Sequence, residues 1–231
     1  MLTVTEALSA RPYPGRGCLA ARLDDDSLWL GYFLTGRSEA SRSRVVERSE
    51  AGDLRVADSR GEGECDPLRH YVAAARRDPW TVVGNGDQVV PLAEALSAST
   101  DIVSTWTAHT YEPDPPIYTP RVWICAGAEE QVLVGSSRRS ARMDGTADRG
   151  LWMPERLGPG HGVLITTYAG TGDSVVTSGL PLNVSTASPS GKHLLDSMWE
   201  ALGSSLRVAA FVVQPADLSG ALHRSSVPLS T

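Results

Sequence analysis

Lysine is nearly missing from this sequence: Lys192 stands alone beside twenty arginines, which removes most lysine chemistry, Schiff bases included, from consideration. Cysteine is scarce and odd in number. Cys18, Cys65 and Cys125 lie far apart with no Cys-x-x-Cys or Cys/His spacing, so zinc is not expected and they read as reduced thiols of a cytoplasmic protein. No apolar run approaches the ~20 residues of a membrane span. The start, Met1-Leu2-Thr3-Val4-Thr5-Glu6, lacks the basic and apolar regions of a signal peptide. No glycine-rich phosphate motif of the dinucleotide or P-loop type is present. The five histidines share no spacing or motif, and no metal site is expected. Positive charge is outweighed overall: a net charge of −6 and a pI of about 5.4 argue against a general nucleic-acid surface.

What is present is an ordinary globular composition, 41% hydrophobic and 21% charged over 231 residues. A chain of this length can bury about 70–75% of its surface as one large domain or two small ones. We expect a single domain over residues 1–231, with 1–12 and 215–231 as peripheral terminal segments. Its most informative stretch is Gly36-Arg37-Ser38-Glu39-Ala40-Ser41-Arg42-Ser43-Arg44, which packs three arginines and three serines behind the apolar run Leu28–Leu34. Arginine presents a planar fork of permanently charged donors suited to phosphate or carboxylate, and serine adds neutral donors. Either the run is a solvated basic loop, or it forms an anion site at the end of a buried strand.

Patterning predicts many short strands and few helices. Strands are expected at Cys18–Leu23 and Leu28–Leu34, joined by a hairpin at Asp24–Ser27, then at Val45–Arg48 and Leu54–Ala57. Asp66-Pro67 reads as the capped start of a helix running to about Arg77, with Leu68, Tyr71, Val72 and Ala75 on one face. The strand Trp80–Val83 stops at Gly84-Asn85-Gly86-Asp87, either as a simple turn or to bring backbone close to a ligand. A helix over Pro91–Thr105, broken near Ser97–Thr100, leads to the proline-rich loop Thr110–Arg121, whose prolines hold its side chains in place. A hairpin is expected at Arg121–Ala126 and Gln131–Ser136, and irregular chain from Arg138 to Pro159. Strands at Gly162–Tyr168, Ser174–Thr177 and Leu206–Val213, a helix at Lys192–Leu202 and a frayed tail beyond Pro215 complete the reading. Such a pattern without βαβ alternation points to a layered α+β fold of two stacked sheets flanked by helices.

Taken in order, Tyr13-Pro14-Gly15-Arg16, Gly36-Arg37-Ser38-Glu39 with Ser41, Arg42 and Arg44, Asn85-Gly86-Asp87-Gln88, Tyr111-Glu112-Pro113-Asp114 and Tyr118-Thr119-Pro120-Arg121 resemble the stand-alone IMP cyclohydrolase family. The resemblance spans residues 13 to about 170 and implies a four-layer αββα, Ntn-hydrolase-like sandwich of mainly antiparallel sheets. Members lack the N-terminal nucleophile of true Ntn hydrolases, and here Leu2 follows Met1. The implied activity is cofactor-free dehydrative ring closure of a formamido-imidazole carboxamide ribonucleotide to IMP, in cytoplasmic purine biosynthesis. The implied partner is a small anionic nucleotide, with homo-oligomer formation expected by analogy.

On that resemblance Arg37 would polarise the formyl oxygen or grip the nucleotide beside it, unless it forms a salt bridge to Glu39 or Glu112. Glu112 is the acid/base candidate, with a helix cap or a loop salt bridge as its rival. Tyr71 and Tyr118 would donate to the carboxamide or stack on the base, with core packing as the alternative for either. Arg16, Ser38, Arg42, Arg44, Thr119 and Arg121 are expected to bind substrate, Arg16, Arg44 and Arg121 through phosphate, while Asn85, Gly86 and Asp87 would contact ribose or base. The family's bacterial pattern carries asparagine where this chain has Ala40, Ser43, Val72 and Ile117. Each lost amide partner is worth roughly 1–3 kcal/mol in a buried polar site. These four positions are therefore expected to alter specificity, and a paralogue closing a ring on another substrate stands as the alternative. A non-catalytic nucleotide-binding protein is a further one.

Overall fold

The computed structural model describes residues 1–60, 66–127, 129–170 and 175–227. The chain opens with β1 (Leu2–Thr3) and α1 (Val4–Ser9), where Thr3 and Glu6 form a reciprocal capping box. A hairpin of β2 (Arg16–Arg22) and β3 (Leu28–Thr35) follows, closed by Asp25, whose carboxylate accepts from the Ser27 N–H. Consecutive Asp24, Asp25 and Asp26 thus make a turn, as expected. The short α2 (Glu39–Arg42), capped by Ser38, reverses the chain into β4 (Arg44–Arg48), β5 (Leu54–Asp58), β6 (Tyr71–Arg77) and β7 (Trp80–Gly84). Two helices, α3 (Val89–Ser97) and α4 (Ile102–Thr107), realise the expected broken helix. Then come β8 (Arg121–Ala126), β9 (Val132–Arg139), β10 (Ala147–Trp152), β11 (His161–Thr166) and β12 (Pro181–Ser185). The last described elements are α5 (Gly191–Ala201), β13 (Arg207–Gln214) and β14 (Asp217–Ser225).

These strands form two seven-stranded sheets, ordered β1-β12-β11-β2-β3-β13-β14 and β10-β9-β8-β7-β6-β5-β4. Every pairing is antiparallel except β1 with β12. Alternation along each strand sends one set of side chains inward, so Leu30, Tyr32 and Leu34 meet Val56, Ala73 and Ile124 in a core between the sheets. On the outer face of the first sheet, Leu8 of α1 and Leu195 and Met198 of α5 cover Leu19, Phe33 and Val212. Leu92 of α3 and Trp106 of α4 cover Ala75, Val82 and Trp123 of the second. The layers run helix, sheet, sheet, helix, an α+β architecture. None of the described helices is long and apolar enough to cross a membrane.

Four expectations are corrected. Residues Asp66–Arg77 do not form a helix: Asp66 caps only a turn, accepting from the Leu68 N–H, and the chain then extends as β6. The alanines there favour helix intrinsically, but pairing on both sides with β5 and β7 wins. Within the supposedly irregular Arg138–Pro159, residues Ala147–Trp152 form β10, an edge strand too exposed to show an apolar pattern. The strand expected at Ser174–Thr177 falls partly outside the described residues; what is described is a single bridge, Tyr168 with Thr177, while β12 carries the ladder instead. Among the described residues the tail does not fray beyond Pro215: β14 pairs along β13 and buries Leu218.

Candidate active site

One end of the inter-sheet core opens where β2 and β4 begin and β3 ends. A cavity of about 360 Å³ lies there, walled by these strand ends, by α2 and by the loops around Asp66–Arg69 and Glu112–Thr119. The basic stretch builds one wall. Ser38 caps α2 and its hydroxyl donates to that of Ser41. Arg44, first residue of β4, is buried; its Nε donates to the Ser41 carbonyl at 2.9 Å and its Nη2 to the Thr35 carbonyl at 3.5 Å. No carboxylate pairs with Arg44 among the described residues. Burial lowers the affinity of its guanidinium for its proton, and neighbouring Arg16 adds to that effect. Arg37 is exposed at the mouth, its guanidinium 4.6 Å above the Tyr13 ring, which stacks in turn on Tyr168. Among the described residues neither expected salt bridge to Arg37 forms, since Glu39 pairs with Arg60 and Glu112 with Arg16. Arg42 is exposed on α2 and does not line the cavity.

The opposite wall centres on Glu112. Its N–H donates to the Thr119 carbonyl at 2.8 Å, which pins the proline-rich loop back on itself. Its carboxylate is buried, accepting from Arg16 Nη2 at 2.6 Å and from Asn85 Nδ2 at 3.3 Å. Burial pushes the Glu112 carboxyl above the usual carboxylate range, and Arg16 and Arg121 only partly offset this. Arg16 itself stays protonated: burial opposes its charge, but Glu112 and the nearby tyrosines outweigh that. Thr119 lines the cavity, donating from its hydroxyl to Asp114 at 2.5 Å and sharing a hydrogen bond with Tyr168 at 2.6 Å.

Behind Glu112 lies a second polar network that does not reach the cavity. Asn85 accepts from the Val122 N–H at 2.6 Å and donates to the Pro120 carbonyl at 2.9 Å, so its amide is spent on holding strand ends and Glu112. A Cβ on Gly86 would fall 2.3 Å from Arg121 Nη1, so that glycine permits the close approach of Arg121. Arg121 pairs with Asp87 at 2.6 Å and with Gln88 at 3.2 Å. Tyr118 also stands apart, in the left-handed region at φ 54°, with its ring against Tyr111 and under Arg139 at 4.3 Å.

Tyr71 is buried and does not itself line the cavity; its ring is 5.9 Å from the guanidinium of Arg16, which does, and its hydroxyl is 2.6 Å from that of Tyr32. Of the four positions where asparagine was expected, only Ile117 lines the cavity. Ser43 turns away, donating to the Ala40 carbonyl and to Asp58, and Val72 packs under α3. The reason is the strand at β6: successive residues face opposite sides, so placing Tyr71 inward sends Val72 outward. Cavity residues not singled out from sequence include Tyr13, Asp114, Arg69 and Tyr168. Tyr13 and Asp114 stood inside the motifs, whereas Tyr168 ends an apolar strand and gives no local signal.

Comparison with known protein families matches residues 13–217 to the model of the IMP cyclohydrolase-like proteins. No curated protein matches the chain.

Proposed function

This chain belongs to the IMP cyclohydrolase-like family, and from that premise we propose that it converts a formamido-imidazole carboxamide ribonucleotide to IMP in purine biosynthesis. A carboxamide nitrogen attacks the formamide carbon on the same nucleotide, forming the new C–N bond. The carbon–oxygen bond then breaks, and the formyl oxygen leaves as water with one hydrogen from each nitrogen. Both reacting groups belong to one substrate, so the protein's task is to hold the reactive conformer, bind the anion and manage two protons. No redox step or cofactor enters this scheme.

The observation that carries the reading is Arg44, a buried guanidinium without a carboxylate partner among the described residues, facing the same cavity as the buried Glu112 carboxyl. On this reading Arg44 with Ser38 and Ser41 holds the anionic end of the nucleotide, and Arg37 closes over it from the mouth. Glu112, its proton affinity raised by burial, exchanges protons with the reacting amide, and Arg16 orients it. Tyr71 donates to the formyl oxygen as charge develops there. Asn85, Gly86, Asp87 and Arg121 support the loop that presents Glu112. A cytoplasmic homo-oligomer remains part of the reading by family analogy.

Mixing the purified protein with the formylated nucleotide and following purine absorbance tests the proposal; no acceleration over buffer ends it. One observation favours a second reading, ring closure on a less polar substrate: Ile117 and Leu68 place apolar surface on the cavity wall. Ile117→Asn should then raise IMP formation about 3–10-fold by restoring one polar contact. An ordinary enzymatic rate of IMP formation by the unaltered protein refutes this second reading.

A further inference from the structure

Tyr32 lies in the middle of β3, its side chain wholly in the core between the sheets and its ring stacked on Phe211 at 5.4 Å. A phenylalanine would fill the same space, so the hydroxyl itself calls for a reason. Its one hydrogen-bond partner among the described residues is the Tyr71 hydroxyl at 2.6 Å, on the facing sheet. Two hydroxyls bring two hydrogens, and burial decides which of them donates. Were Tyr71 the donor, the Tyr32 hydrogen would sit in the apolar core with no acceptor, an arrangement folded proteins avoid. Tyr32 therefore donates and Tyr71 accepts. The Tyr71 hydrogen is left over, and Tyr71 begins β6 at the cavity end, beside Arg16 and close enough to Arg44 to act on its charge. Guanidinium groups have no lone pair to offer, so neither arginine takes that hydrogen.

We propose that Tyr32 is a positioning residue: by donating to Tyr71 across the two sheets, it fixes the Tyr71 hydroxyl as a hydrogen-bond donor toward the molecule in the cavity. The identity of the acceptor rests on the ring-closing reading, in which it is the formyl oxygen gaining negative charge. A donor already oriented costs no reorganisation at the moment of reaction. Burial, reinforced by Tyr71 and Cys18, pushes the Tyr32 hydroxyl far from ionisation, so Tyr32 keeps the hydrogen it donates through the neutral range.

Kinetics and nuclear magnetic resonance test this together on the full chain. Tyr71→Phe should lower kcat about 10²-fold, the usual loss of one transition-state donor. Tyr32→Phe should lower kcat about 3–10-fold, with KM within twofold and an unchanged Tm. The double variant should match Tyr71→Phe, because two members of one unit do not add. Unchanged kcat in Tyr32→Phe, or additive losses, overturns the proposal. The second arm needs no turnover: the Tyr32 hydroxyl proton should be the exchange-protected one of the pair, lost in Tyr32→Phe and shifted in Tyr71→Phe. A protected proton assigned to Tyr71 reverses the polarity and overturns the proposal, whereas an inactive protein with a protected Tyr32 proton overturns the cyclohydrolase reading alone.

Discussion

Arg44 and Glu112 show how differently two buried charges can be held. Glu112 has Arg16 and Asn85 at its oxygens, whereas Arg44 donates only to the carbonyls of Ser41 and Thr35. A guanidinium buried without a counter-charge costs stability and is kept for what it binds. Arg44→Met should therefore raise Tm by roughly 2–4 °C, about 1 kcal/mol for a chain of this size, while weakening nucleotide binding at least tenfold. A lower Tm, or unchanged binding by calorimetry, contradicts that role. For Glu112 the sign follows from its raised folded-state value: the folded carboxyl holds its proton more tightly than the unfolded one. Its contribution to stability is fully present below the unfolded carboxylate range and is lost as pH rises through the raised value. The Tm difference between the wild type and Glu112→Gln should accordingly move against the wild type as pH rises through that window, then level off. A difference moving the other way would show the Arg16 pairing to dominate instead.

Individual elements place these charges by small local devices. Gly15 lies at φ 74° just before β2, and a Cβ there would fall 2.4 Å from the Tyr168 ring and 2.2 Å from the Thr167 hydroxyl. A rigid ring cannot step aside as a flexible side-chain end can. Gly15→Ala is thus expected to destabilise by about 1–3 kcal/mol through strain and overpacking, and to weaken the site by displacing Tyr168 from Tyr13. Near-native Tm in thermal unfolding would show that the turn has another conformation available. The loop from Tyr111 to Pro120 relies on Asp114 in the same way, its carboxylate accepting from both the N–H and the hydroxyl of Thr119. Tyr118 enters the left-handed region between them, which turns Thr119 toward the cavity and its own ring away.

At the scale of the molecule, the site depends on two sheets meeting face to face, since Tyr32, Arg16 and Thr35 come from one and Tyr71 and Arg44 from the other. The terminal segments take part in that layering. Val4, Ala7 and Leu8 of α1 are buried against α5, and β14 covers the edge of β13. Removing residues 217–231 would strip the β14 hydrogen-bond partners from one edge of β13 and take Leu218 out of the core between the sheets. Such a truncation should lower stability by at least about 3 kcal/mol, or leave the protein aggregated through its bare strand edge. A soluble truncated chain with the original Tm would make β14 dispensable.

Sequence alone determined the central hairpin, the two-sheet α+β pattern, the broken helix over α3 and α4 and the helix α5. These are encoded by neighbours in the chain: alternation, turn residues and caps act within a few positions. It also singled out the arginine-rich stretch and Glu112 as candidates, through motifs that resemble one family. Tertiary structure decided the rest, because partners distant in sequence set it. Pairing with β5 and β7 turned an alanine-rich helix pattern into a strand, which sent Val72 outward and kept Tyr71 beside Arg16. The partner of each arginine was equally invisible locally. Arg121, expected at phosphate, is taken by Asp87 from another element, Arg16 is taken by Glu112, 96 residues away, and Arg44 pairs with no carboxylate among the described residues. Charge in the sequence marks a residue as able to bind an anion; which anion reaches it is a matter of what the fold packs alongside.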